Sequence, residues 1–119
     1  MWQTVHAMNP SLFENLRLEL RRGSLILGVL SQLRTERYGY VLRKALSDLG
    51  MEIDENSLYP LLRRLESQGL LVSEWREEDR RNKRFYRLSA AGERVFARLV
   101  EELRSLNASL ERSLKGDLT

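Results

Sequence analysis

The sequence predicts a mainly α fold carrying one small β-hairpin, on three observations. Apolar residues recur at three- and four-residue steps through four separate stretches, the repeat of a helix face. The stretch from Leu70 to Leu88 instead places Val72 and Trp75 in one segment and Phe85 and Tyr86 in the next, residue types that favour strands. After Ser89, Phe96, Leu99, Leu103, Leu106 and Leu110 follow at steps of three, four, three and four. That is the narrow seam of a helix that pairs with another helix, rather than a wide core face.

Each element has its own signals. Trp2, Val5 and Met8 are spaced by three, which leaves residues 1–8 open to a docked helical turn or a loose tail. Asn9-Pro10 supplies an N-cap side chain and then a proline at the first helical position. From there Phe13, Leu16, Leu20, Gly23, Leu27 and Leu30 form one stripe, and Leu25, Ile26, Val29 and Leu33 a second. The latter half is therefore apolar nearly all round and must be buried on two sides. In a domain this small, a second subunit can cover the second side. We expect one helix from Pro10 to Leu33, with Gly23 the place for any bend.

A polar turn, Arg34 to Arg37, leads to a second helix opening at Tyr38 or Gly39. Its inward residues are Val41, Leu42, Ala45, Leu46 and Leu49, and Gly50 stops it. Met51-Glu52-Ile53 is expected to form a very short strand, and Asp54 to cap the third helix. There Leu58, Leu61, Leu62 and Leu65 face the core, while Asn56, Ser57, Tyr59, Arg63 and Ser67 lie opposite. Pro60 removes a backbone hydrogen bond inside a helix, so the regular helix is expected to begin near Ser57. Gln68-Gly69 closes it. Strands over Leu70–Arg76 and Lys83–Leu88 follow, joined by a loop over Glu77–Asn82. Ser89 caps the last helix, which is expected to fray from Lys115 on.

Composition narrows the function. At 119 residues, 42% hydrophobic and 31% charged, the chain suits one small globular fold. The net charge of +3 is too mild to establish a nucleic-acid partner, so local clustering must carry that argument. Without cysteine there is no disulfide framework and no thiolate metal site. The longest mainly apolar run, Leu25 to Leu30, is too short to span a bilayer, and the start lacks the pattern of a signal peptide. The expected location is the cytoplasm. His6, the single histidine, has no Cys or second His to join it in a metal site, so neither a metal nor a cofactor is expected. No nucleophile–base set or phosphate-cradling glycine loop can be assembled, which argues against an enzyme.

Three helices, a hairpin and a long seam helix together describe a winged helix-turn-helix with a C-terminal dimerisation helix. We expect residues 1–88 to form the DNA-binding unit and residues 89–119 the dimerisation helix. A helix-turn-helix places its later helix in the major groove of double-stranded DNA. There Arg63 can donate two bonds to guanine and Asn56 can pair with adenine. Ser57 and Tyr59 reach bases or phosphate, and Tyr38, at the head of the second helix, is a candidate for phosphate. Arg80, Arg81, Lys83 and Arg84 are placed along the DNA backbone or in the minor groove, adding affinity without reading sequence. Any one of these arginines is as readily explained as surface solvation, but basic side chains on both helix and hairpin favour the joint reading. Glu77, Glu78 and Asp79 oppose it by repelling phosphate. Trp75 is expected to pack across the hairpin on Tyr86 or the third helix. The homodimer is expected to bury Phe13, Leu16, Leu20 and Leu27 of the first helix against Phe96, Leu99, Leu103, Leu106 and Leu110 of the last.

These residues resemble a known family. Leu20-Arg21-Arg22-Gly23-Ser24-Leu25, Tyr38-Gly39-Tyr40, the run from Ser57 to Glu66, Gly69-Leu70 and the run from Phe85 to Gly92 are similar to the PadR-like transcriptional regulators. The match covers about residues 18–114 and, with its single C-terminal helix, resembles the smaller subfamily. The resemblance implies a homodimeric bacterial repressor reading a pseudo-palindromic operator. It places Tyr59, Asn56, Ser57 and Arg63 on the recognition helix, and Lys83 and Arg84 on the basic wing. The chain departs from the family twice. Its wing turn is acidic and lacks the usual glycine, and no tryptophan lies near Leu103 to stack on a flat ligand, so no multidrug pocket carries over.

Two other readings compete with a DNA-binding repressor. One is a winged-helix protein-interaction module without sequence-specific DNA binding. The other is a ligand-sensing repressor whose dimer-interface pocket, lined by Phe13, Phe96 and Leu103, takes a small apolar or aromatic effector.

Overall fold

A computed structural model of the chain describes residues 9–116. The expectations for residues 1–8, and for the end beyond Gly116, lie outside the described residues.

The order of elements is α1 (Pro10–Gln32), β1 (Arg37–Tyr38), α2 (Gly39–Asp48), α3 (Glu55–Ser67), β2 (Leu71–Glu78), β3 (Arg81–Leu88) and α4 (Ala90–Leu114). The three strands form an antiparallel sheet in the order β1-β3-β2. The helix starts are where the caps put them. Asn9 Oδ1 accepts from the Ser11 N–H at 2.8 Å, and Asp54 Oδ1 from the Ser57 N–H at 2.8 Å. Ser89 Oγ accepts from the Gly92 N–H at 2.9 Å and donates to the Gly69 carbonyl at 2.6 Å, tying the start of α4 to the end of α3. Gly50 and Gly69 have φ of +83° and +81°, the left-handed exit from a helix that glycine adopts without strain.

Leu30, Leu33, Leu42, Leu46, Leu58, Leu62, Leu65, Leu71, Tyr86 and Leu88 meet in one core, with Val29. It sits where the second half of α1, α2, α3 and the inner ends of β2 and β3 converge. Gly92 lets α4 lie directly on this unit: a Cβ there would come 2.0 Å from the Leu70 carbonyl oxygen.

The structure corrects several local expectations. Met51–Ile53 is not a strand, because the Met51 N–H donates to the Leu46 carbonyl at 2.8 Å to finish α2 and is lost to any ladder. The third strand is Arg37–Tyr38, paired with Tyr86 and Phe85. Pro60 lies well inside α3, which starts at Glu55; the carbonyl of Asn56, an exposed residue, forgoes its helical donor. Leu49 falls at the C-cap of α2, past the last inward position, and is exposed. The hairpin is longer than expected. Glu77, Glu78, Arg81 and Asn82 all pair, leaving Asp79 and Arg80 as a two-residue turn with φ of 54° and 65°. Two positive φ values are what a tight hairpin turn needs to match strand twist; here an aspartate and an arginine supply them in place of glycine.

Candidate nucleic-acid interface

With one face of α3 fixed in the core by Leu58, Leu62 and Leu65, the opposite face is determined by the helical repeat. Asn56, Pro60, Arg63 and Ser67 form its exposed ridge, flanked on one side by Ser57 and Arg64, also exposed. Among the described residues Arg63 makes no ion pair, so its guanidinium is available to a ligand. Tyr59 differs from the expectation. It sits on the ridge's other flank, half-buried against the core, and its hydroxyl lies over Gly39; a Cβ at Gly39 would be 2.1 Å from that oxygen. It joins α3 to the start of α2.

The strand register sorts the hairpin into two faces. Ser73, Trp75 and Glu77 of β2 stand opposite Tyr86, Arg84 and Asn82 of β3, on the face that packs on α3. On this face Glu66, in the last turn of α3, accepts from Ser73 Oγ at 2.6 Å and from Arg84 Nη2 at 3.1 Å, while Arg84 Nε donates to Ser73 Oγ at 2.9 Å. The Arg84 guanidinium also lies 5.5 Å from the Trp75 ring and 5.7 Å from that of Tyr86. Trp75, expected to pack on Tyr86 or the third helix, lies beside Arg84 and is 61% exposed. Burial raises the Tyr86 hydroxyl above its usual pKa, with Glu66 adding to the rise and Arg84 and Arg63 opposing it.

The other face carries Arg76 and Lys83 against aromatic rings. Arg76 stacks 4.1 Å from the Phe85 centroid and pairs with Glu36 and Glu74; its hydrogen bond to Glu36 holds its pKa above the usual value against partial desolvation. Tyr38 packs edge-on to Phe85 at 5.3 Å, with Lys83 Nζ 4.4 Å from its ring. Lys83 also pairs with Glu78 at 3.4 Å and Asp79 at 3.9 Å. Desolvation lowers the Lys83 pKa, but the Tyr38 hydroxyl and Glu78 outweigh it, and the net shift is upward. Of the basic residues expected on the wing, Arg80 and Arg81 are exposed at its tip, whereas Lys83 and Arg84 are engaged within the protein. Tyr38 lies on the sheet face away from α3.

The expected dimer residues occupy one side of the molecule. Leu20 and Leu27 of α1 and Leu99, Leu103 and Leu106 of α4 line an apolar groove of about 400 Å³. Phe96, one turn before Leu99, packs instead on the core, with Arg34 over its ring at 5.5 Å. Phe13, Leu16 and Leu110 lie beyond the groove, all exposed. Among the described residues no group of histidine, cysteine, aspartate and glutamate could hold a metal ion, and no helix is long and apolar enough to cross a membrane.

Sequence reasoning missed Pro60 on the outward ridge, and the roles of Glu66 and Ser73. Pro60 was legible from its four-residue steps to Asn56 and Arg64; Glu66 and Ser73 depend on how the hairpin folds back, which no helical repeat encodes.

A helical core with a β-hairpin packed against its third helix defines a winged-helix protein. The chain belongs to the transcriptional regulator PadR-like family, whose pattern matches residues 26–98. It is similar to the transcriptional regulator Rv3488 of Mycobacterium tuberculosis, 38% identical over 99 residues that cover 82% of this chain and 90% of that one. It is also similar to the crystal structure of a PadR family transcriptional regulator from Eggerthella lenta, with 43% identity and a TM-score of 0.84 over 90% of this chain and 96% of the other. The fold extends to a PadR-like transcriptional regulator from Bacillus cereus at 22% identity, with a TM-score of 0.74 over 83% of this chain and 99% of that one.

Proposed function

We propose that this regulator is a homodimeric, DNA-binding transcriptional repressor of the cytoplasm that reads a pseudo-palindromic operator. The observation that carries the reading is the exposed ridge of α3, with Asn56 and Arg63 one above the other, held at a fixed angle to a wing whose tip exposes Arg80 and Arg81. Asn56 and Arg63 are the base-reading side chains in this scheme, with Ser57 beside them. Arg80 and Arg81 meet phosphate. Tyr59 supports α3 and offers its exposed part at the ridge edge. Two copies joined through α1 and α4 present two ridges, which is why the operator is expected to be two-fold symmetric.

A genome-wide selection of bound DNA at moderate salt tests this. The purified protein should enrich a two-fold symmetric sequence. Arg63→Ala should weaken binding by about 1–3 kcal/mol and relax preference at one position in each half-site. If the wild-type protein enriches no sequence, the repressor reading fails and the protein-interaction reading takes its place.

A further inference from the structure

We propose that Arg84 is a positioning residue that does not touch phosphate: with Glu66 and Ser73 it forms a clamp that sets the angle between the wing and the recognition helix. The inference rests on the DNA-binding reading for its consequence, but the clamp itself does not need DNA.

The geometry is closed. Both carboxylate oxygens of Glu66 are occupied, one by Ser73 Oγ at 2.6 Å and the other by Arg84 Nη2 at 3.1 Å. Arg84 Nε completes the ring at Ser73 Oγ, at 2.9 Å. Each side chain comes from a different element: α3, β2 and β3. The planar guanidinium is suited to bridging a carboxylate and a hydroxyl at once, and it is flanked by Trp75 and Tyr86, which restrict where it can swing. The side chain of Glu66 is 27% exposed and that of Arg84 37%, so the pair is shielded enough to keep its geometry. Glu66 lies one turn beyond Arg63. A tilt of the wing about this point therefore displaces the phosphate-binding tip relative to the base-reading ridge.

The two roles for Arg84 predict opposite behaviour. If the guanidinium meets phosphate, Arg84→Ala flattens the dependence of log K on log salt by about one unit. If it acts only through the clamp, Arg84→Ala weakens binding and leaves that slope unchanged. Glu66 separates them further. If only charge matters, Glu66→Gln removes a negative group beside DNA and tightens binding; if the clamp matters, it weakens binding.

The experiment has two arms. Hydrogen exchange on the DNA-free protein reads the clamp directly: amides around Ser73 and Arg84 should exchange faster in both Arg84→Ala and Glu66→Gln, with α2 unchanged. Salt titrations on the selected operator read its consequence. Both variants should lose on the order of tenfold in affinity at an unchanged salt slope, and the double variant should lose no more than either alone. Should Arg84→Ala fail to fold, Arg84→Lys substitutes for it; it keeps the charge but not the planar fork, and should also weaken binding at an unchanged slope. A flattened slope in Arg84→Ala, tighter binding in Glu66→Gln, or wild-type affinity in Arg84→Lys overturns the proposal. If the wild-type protein binds no DNA, the repressor reading falls, and the exchange arm alone decides the clamp.

Discussion

The winged-helix half of the molecule and its α1–α4 flank are built from the same kind of residues and end in opposite states. Leu30, Leu33, Leu42, Leu46, Leu58 and Leu62 are wholly buried within the chain's own fold. Leu12, Phe13, Leu16, Leu18 and Leu20, on the first half of α1, are all more than half exposed, and Leu106 and Leu110 of α4 are nearly so or more. Both sets repeat with helical spacing. The first closes on itself because three helices and a sheet surround it; the second has only one neighbouring helix. A stripe of this length is costly to leave in water, and soluble proteins seldom do so. The winged-helix half thus closes its own core, whereas the flank leaves its stripe open, and in the proposed homodimer a second copy of the same flank covers it.

The sharpest test of that contrast is truncation. Leu62→Ala opens a cavity in a closed core and should cost about 2–5 kcal/mol. Denaturant unfolding measures it directly, and the loss should not depend on protein concentration. Leu16→Ala removes the same atoms from an exposed position. In an isolated chain it should cost almost nothing; if α1 is buried in a dimer, it should also be destabilising, with a loss that appears only at concentrations where the wild-type chain is dimeric. Equal, concentration-independent losses at the two sites would erase the distinction between the halves.

Somewhat smaller in free energy, but more decisive for assembly, is a charge placed in the groove. Leu103→Glu puts a carboxylate among Leu20, Leu27, Leu99 and Leu106. Light scattering should show the wild-type chain as a dimer at micromolar concentration and the variant as a monomer or unfolded. A wild-type chain that is monomeric and well folded at that concentration would overturn the proposed homodimer.

The same contrast explains what could be read in advance. The caps Asn9, Asp54 and Ser89, the stops at Gly50 and Gly69 and the inward leucines of α3 are local features, and all stand as expected. So does the winged-helix order, because each element carries its own period. Errors cluster where tertiary pairing decides. Arg37–Tyr38 becomes a strand only because β3 offers an edge, and Met51 is diverted to finish α2. The acidic stretch near Glu77 reads as a loop by composition, yet the two-residue turn at Asp79-Arg80 carries it into the ladder. The wing's charges were the least legible. Counting basic residues puts Arg80, Arg81, Lys83 and Arg84 in one class, but the register divides them between the tip and the two faces.

That division gives the smallest predicted effect and the finest test. Glu77 lies on the hairpin face that meets α3, opposite Asn82, and among the described residues it makes no ion pair. Glu78 lies on the other face and is tied to Lys83 at 3.4 Å. Neutralising Glu77 removes a negative charge that no ion pair balances. Neutralising Glu78 removes a charge that Lys83 already balances and releases that ammonium from its nearest carboxylate. Both changes should tighten DNA binding, each by about 0.5 kcal/mol or roughly twofold, the scale of exposed charge interactions. They should differ in their salt response. Glu77→Gln should leave the slope as it is, since no new cation reaches phosphate. Glu78→Gln should steepen it, by up to about one unit if the freed Lys83 gains a phosphate. The steepening should disappear in Glu78→Gln combined with Lys83→Ala. Identical slopes in the two single variants would mean that the register does not sort the wing's charges as seen by DNA, and the wing would then act through net charge alone.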